Sequence, residues 1–267
     1  MKRARPLVVI GALALSTVLV VMRAGRSLVG LGSLRQLWSD ALRDADRPAL
    51  TVTRLSDERE MQLGAQLANE MLAQFPDDPA GAARVNAVGS RMLPYLHRKR
   101  IAYHFHVIQD GAINACAFPG GQIVVTTGML AFVQSDSELA EVVGHEMAHV
   151  DLRHAVERSQ YQYRLGDLIG AVHQLLTMPY AADQELDADA EGMRLAIAAG
   201  YDPKAGPQLF ARMQQQLHEP APAQADTPAG EVIYSLGDAL VAYFRTHPPS
   251  EERARRLKQL VPSTTAP

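Results

Sequence analysis

The sequence predicts an α+β fold, mostly helical with one small antiparallel sheet, preceded by one N-terminal membrane segment. Three observations carry this reading. Apolar residues recur at intervals of three and four along most of the chain, which is the helical period. Alternation with a period of two is confined to one region near residues 101–129, which also holds a proline followed by two glycines. The third is an uncharged apolar run near the start, at 7–22.

Composition narrows the possibilities further. With 267 residues, 47% of them apolar, the chain can bury one sizeable core or two small ones and is not a disordered segment. Its 26 basic and 29 acidic residues give a net charge of −3, without the basic excess of a nucleic-acid binder. Cys116 is the only cysteine, which excludes an intramolecular disulfide framework and a CxxC zinc knuckle. Any bound metal must therefore be held by histidine and carboxylate.

Lys2, Arg3 and Arg5 precede the run LVVIGALALSTVLVVM. As a helix it spans roughly 24 Å, slightly short of a hydrocarbon core of about 30 Å, and the stem of Arg23 can extend it by snorkelling. Met22 and Arg23 stand where a cleavage site would need small residues, so residues 1–26 are read as an uncleaved signal-anchor. A cleaved secretory signal and an organellar transit segment are the alternatives. The anchor and the secretory signal both place the rest of the chain outside the cytoplasm, and the leading basic residues orient it N-in. The bacterial inner membrane, periplasmic side, is the expected location. A tether covers 27–52, and a folded domain is expected over 53–262.

Within that domain, residues 56–75 form an amphipathic helix that stops at Pro76, and a second helical pattern covers about 80–96. Ile101, Tyr103, Phe105 and Val107 alternate as a strand, with His104 and His106 on its other, surface-facing side. Residues 113–129 read as a hairpin turning at Pro119, Gly120 and Gly121. Ser135 with Glu138 is a capping-box signature, opening a long helix to about residue 159. Further helices are expected at 164–178, 183–199 (capped by Gly200), 203–217, 231–245 and 250–260, with a Pro/Ala-rich loop at 219–230. The 164–178 stretch is too short and carries Asp167 and His173, so a second membrane crossing is not expected.

The long helix carries His145-Glu146-Met147-Ala148-His149. Four residues make 400° of helix, so the two histidines project within about 40° of each other and can share one zinc ion. Glu146 points about 100° away and can reach a water on that metal without binding the metal itself. His154 is half a turn off this face while the helix continues, and is read as structural or surface. A third ligand is still needed. The metzincin position for a third histidine holds Ala155, so that class is excluded. The gluzincin solution is a glutamate from a later helix, and Glu185 with Asp189 at i and i+4 offers it: Glu185 to the metal, Asp189 to the Nδ1–H of a ligand histidine. Asp187 and Glu191 point elsewhere and are weaker candidates.

These motifs resemble the gluzincin zinc metallopeptidases of the CAAX prenyl protease and HtpX heat-shock protease type. The matching pieces are ELAEVVGHEMAHVDLRHA at 138–155, Glu185 to Gly192, Asn114 to Gly121 followed by VVTTGML, and His247-Pro248-Pro249-Ser250 with Glu252-Arg253. They run in family order over roughly 55–262. The resemblance implies a zincin-like metallopeptidase domain with one zinc per chain and polypeptide substrates. With one span only, the chain is most similar to the subgroup of periplasmic quality-control and mitochondrial inner-membrane stress proteases, so prenylated substrates are not expected. It also implies that the His247 segment folds back near the metal, where His247 is the expected partner of the oxyanion. Arg253 would support that loop or pair with a nearby carboxylate. Asn114, Ala115, Cys116 and Ala117 are the expected sheet edge for an extended substrate. Cys116 is read as a small buried residue rather than a nucleophile. The expected activity is endopeptidase cleavage of misfolded or membrane-associated proteins, with Glu146 as the base. The alternative is a zinc-stabilised chaperone or assembly factor whose protease activity is dormant.

Overall fold

The computed structural model describes residues 55–163, 179–218 and 251–262, together with Tyr243 and His247. The expected anchor, the tether, the helix at 164–178, the loop at 219–230 and nearly all of 231–245 lie outside the described residues. Among the described residues no helix is long and apolar enough to cross a membrane.

Helix α1 (Asp57–Leu72) starts where Ser56 accepts a hydrogen bond from the Arg59 amide, with Asp57, Glu58 and Glu60 in its first turn. Helix α2 (Pro79–Ser90) ends earlier than its apolar pattern suggested, because Pro94 allows only a short 3-10 turn at Leu93–Tyr95. Three strands follow: β1 (His104–Ile108), β2 (Ala115–Phe118) and β3 (Gln122–Thr126). Strands β2 and β3 form the expected hairpin, turning through Gly120 (φ 67°) and Gly121 (φ 89°). The sheet is nevertheless mixed, not antiparallel. Its order is β1-β3-β2, and β1 runs parallel to β3. The chain reaches β2 by a loop that returns it across the sheet, so β3 occupies the centre and β1 and β2 the two edges.

Thr126, the last residue of β3 as its β-branched run suggested, also caps helix α3 (Thr127–Phe132) by accepting from the Met129 amide. Helix α4 (Asp136–Asp151) is buried at every residue from Glu138 to Asp151 and forms the centre of the domain. Ser135 accepts from the Glu138 amide as expected, while the Glu138 carboxylate takes the Gln134 amide rather than that of Ser135. The expected continuous helix to about residue 159 breaks after Asp151. Arg153 adopts φ 68°, and a new helix α5 (His154–Tyr163) begins. The break is held from outside: Arg153 Nη2 donates to the Leu55 carbonyl at 2.8 Å, and the Asp151 carboxylate takes the amides of His97 and Arg98. Helices α6 (Ala182–Ala198), α7 (Ala205–His218) and α8 (Glu251–Leu260) complete the described elements. Gly200 (φ 82°) ends α6 as expected, and the Tyr201 amide reaches back to the Ala196 carbonyl.

Candidate metal centre

The site is assembled by two helices that touch through glycine. A Cβ placed on Gly144 of α4 would lie 2.8 Å from the Gly192 carbonyl oxygen of α6, and one on Gly192 would lie 2.7 Å from the His145 amide nitrogen. Only two residues without side chains allow so close an approach. It brings Glu185 and Asp189, on α6, against His145 and His149, on α4.

There the His145 and His149 Nε2 atoms are 3.1 Å apart. Glu185 Oε1 lies 3.4 Å from His149 Nε2, and Glu185 Oε2 lies 3.6 Å from His145 Nε2. His247 Nδ1 completes the group, 3.1 Å from His145 Nε2 and 3.0 Å from Glu185 Oε1. All four residues are buried. Four donors about 2.0–2.1 Å from one ion in tetrahedral geometry stand about 3.3–3.4 Å from one another, so these spacings fit a cage around a single metal ion. The chemistry of the donors fits as well. His145 Nδ1 faces Asp189 Oδ1 at 3.0 Å and His149 Nδ1 faces His154 Nδ1 at 3.2 Å, so each ring turns its other nitrogen inward. Two inward lone pairs at this distance repel unless a cation lies between them.

Burial keeps the His149 ring neutral, well below the usual histidine range, as a metal ligand requires. Burial, the largest single influence, would raise Glu185 and Asp189, but Arg253 together with His247 and His149 at Glu185, and with His145 at Asp189, holds both below the usual carboxylate range. Arg253 Nε and Nη2 grip Asp189 at 2.7 and 2.8 Å, and its Nη1 stands 2.6 Å from Glu185 Oε2. Glu146 is fully buried with neither oxygen hydrogen-bonded to a described residue. Desolvation pushes its carboxyl up to about 7, with the His145 ring opposing that rise.

The sheet edge lies beside this group. Among the described residues strand β2 pairs with β3 along one edge only. Ala115, Cys116 and Ala117 are buried and Asn114 is half-buried. Burial pushes the Cys116 thiol up to about 12, which leaves no thiolate at neutral pH. His104 is exposed, and His106 is half-buried against Gln122 Oε1 at 2.8 Å.

Two neighbours of the centre were not expected from sequence, and a third was expected only in outline. His154 reaches His149 because the helix breaks at Arg153, which removes the premise that set it half a turn away. Tyr180 stacks on the His149 ring at 3.6 Å between centroids, with the Arg158 guanidinium 4.0 Å from the tyrosine's own centroid. Arg253, expected to support the His247 loop or pair with a nearby carboxylate, is 3% exposed and pairs with two, Asp189 and Glu185. For Arg253 its place beside the His-Pro motif was a usable signal. For Tyr180 no local pattern existed.

The sequence profile of peptidase family M48 matches residues 79–169 and 164–261. Among characterised proteins, the mitochondrial metalloendopeptidase OMA1 of Arabidopsis thaliana is 31% identical over 176 residues, covering 61% of this chain and 32% of that protein. The OMA1 of Schizosaccharomyces pombe is 30% identical over 193 residues, 67% of this chain and 52% of its own. The beta-barrel assembly-enhancing protease of Escherichia coli K12 is 26% identical over 189 residues, 61% and 39% respectively. The chain thus spans about a third to a half of the length of these relatives.

Proposed function

Since the chain belongs to peptidase family M48, we propose that it is a zinc-dependent endopeptidase, held at a membrane by its N-terminal segment, that hydrolyses misfolded or membrane-associated proteins. The observation that carries this reading is the meeting of two imidazole nitrogens from one helical turn with the Glu185 carboxylate, beside an unpartnered Glu146. Zinc suits a site of nitrogen and carboxylate donors without thiolate, held by His145, His149 and Glu185. Bound there, it supplies Lewis-acid activation of water and of the scissile carbonyl.

The remaining steps belong to the protein. Asp189 fixes the His145 ring and His154 the His149 ring, while Arg253 helps keep Glu185 and Asp189 ionised. Glu146 accepts the proton of the attacking water and returns it to the leaving amine. Strand β2, through residues 114–117, holds the substrate extended by main-chain hydrogen bonds, a mode that reads little sequence and suits unfolded chains. The name of the OMA1 relatives supports endopeptidase cleavage, and that of the beta-barrel assembly-enhancing relatives supports work connected with the assembly of β-barrel proteins. The basic, then apolar start of the chain supports a periplasmic position for the domain. Glu146→Gln should lower peptide hydrolysis by about 10²- to 10⁴-fold while zinc stays bound. Metal analysis beside a peptide assay checks this, and unchanged cleavage would remove Glu146 from its role.

A second reading has one observation in its favour. His247 Nδ1 stands at the fourth corner of the cage, while its Nε2 lies 3.3 Å from Glu146 Oε1. In that arrangement His247 fills the position a substrate needs, as in a zinc-stabilised assembly factor whose protease is dormant. His247→Ala separates the two roles: faster cleavage identifies a plug, and slower cleavage identifies the partner of the oxyanion.

A further inference from the structure

A cavity of about 40 Å³ lies against the His145 ring, bounded by α4, α6, α7 and α8. Part of its wall is apolar, with Val142, Leu209, Phe210 and Leu257, and part is polar, with the His145 ring and the Asp189–Arg253 pair. A second acid in that lining has no such partner. Glu141, a single helical turn before His145, is 8% exposed, and its Oε1 is buried without a hydrogen-bond partner among the described residues. The peptide chemistry above makes no use of it. The α7 backbone also closes directly onto it: a Cβ on Gly206 would lie 2.8 Å from Glu141 Oε2, so glycine at 206 leaves the carboxyl its place.

The charge around the cavity is unbalanced. Arg253, the nearby cation, is committed to Asp189 and Glu185. Burial, with the negative Asp189 adding to it, pushes the Glu141 carboxyl up to about 8. A buried, unpaired acid is unfavourable in either protonation state. A guest with an apolar stem and a cationic tip would relieve both defects at once.

We propose that this cavity is a substrate side-chain subsite for lysine, whose methylenes lie along the apolar part of the wall and whose ammonium group meets Glu141. The proposal rests on the peptidase reading above and adds a preference to it. A volume of about 40 Å³ is room for about three water-sized spheres, which fits a slim alkylammonium chain. The broader guanidinium of arginine needs several acceptors in one plane, and here one carboxyl is free. A wholly apolar side chain would leave Glu141 buried and unpaired.

The test uses the full chain carrying Glu146→Gln and loaded with zinc, so that peptides bind without being cut. A peptide series in which lysine or its neutral isostere norleucine is moved through each position is titrated by calorimetry. At one position lysine should bind roughly 30-fold more tightly than norleucine, the low end of what a desolvated charge pair contributes. Adding Glu141→Gln should bring that ratio to about one. A ratio near one at every position, or a lysine preference that survives Glu141→Gln, overturns the proposal. The peptidase reading fails differently, through wild-type protein that leaves every peptide of the series intact. In that event n-butylammonium and n-butanol, titrated into the same protein, decide the cavity separately. Binding of the ammonium alone, lost in Glu141→Gln, sustains a cation site, and equal or absent binding of the two overturns it.

Discussion

At position 185 a carboxylate is wholly buried and yet ionised, because Arg253 and the surrounding imidazoles replace the water it has lost. Such a group is tuned to hold a cation. Glu185→Ala should therefore reduce zinc affinity by more than about 100-fold, since a ligand contributes more than the outer contacts whose loss costs about 10- to 100-fold. Zinc content after dialysis against a graded chelator measures the change; a variant that retains its metal would exclude Glu185 from the cage. Glu141 titrates with the opposite sign. Burial raises its carboxyl from the ordinary 4.5 to about 8, so across that window the native state holds a proton that the unfolded chain has released. Stability must then fall as pH rises from about 4.5 to about 8. Glu141→Gln should remove this slope and, at pH above about 8, leave the variant more stable than the parent by on the order of a few kcal/mol. Urea midpoints of the metal-free protein at acid and alkaline pH give both numbers.

The elements of the domain depend on contacts of very different legibility. Helical period alone located α1, α4, α6, α7 and α8, and the HExxH spacing placed two imidazoles on one face, because both follow from the fixed geometry of a single helix. What failed were ends and partners. Nothing local to residues 152–154 announces that α4 stops. The stop is imposed by Leu55 and by the amides of His97 and Arg98, and so His154 was placed on the wrong side. Likewise the alternation around β1 reveals a strand but not its direction, which depends on which neighbour it meets. The pairing of α4 with α6 could be read only in part: Gly144 and Gly192 were visible as small residues, but not as each other's partners. Their contact yields a prediction at this scale. Gly192→Ala puts a methyl group 2.7 Å from the His145 amide nitrogen, against backbone that cannot turn aside. The helices must part, which should destabilise the fold by about 1–3 kcal/mol and weaken metal binding with it. Thermal melts with and without zinc test this: a variant that loses stability but binds zinc as before would show that the close approach does not position Glu185.

Across the whole molecule, the burial of Glu60 ties the first described helix to the end of the helix that carries the site. Its carboxylate is 0% exposed and takes Arg98 in a two-pronged pair, at 2.6 and 3.0 Å. The same Arg98 donates to the Val150 carbonyl near the end of α4, and Glu60 also accepts the Gly120 amide in the turn between β2 and β3. Arg153, whose left-handed backbone breaks α4, adds a contact to Glu60 at 3.3 Å. Four parts of the fold therefore meet on one buried acid: α1, the segment before β1, the hairpin that carries the substrate edge, and the last turn of α4 with His149. Hydrophobic burial does not explain this network. Replacing Arg98 with methionine keeps the apolar stem and removes the charge, which leaves Glu60 buried with a more distant partner. The expected loss is about 3–5 kcal/mol, as for other buried pairs broken on one side. Glu60→Leu in the Arg98→Met background should recover a large part of it, since the unpaired charge, and not the missing bond, is the main penalty. If the double variant were no more stable in urea than Arg98→Met alone, the junction would owe its stability to bond geometry instead. Zinc affinity measured alongside would then report whether the last turn of α4 needs that geometry to hold His149 toward the metal.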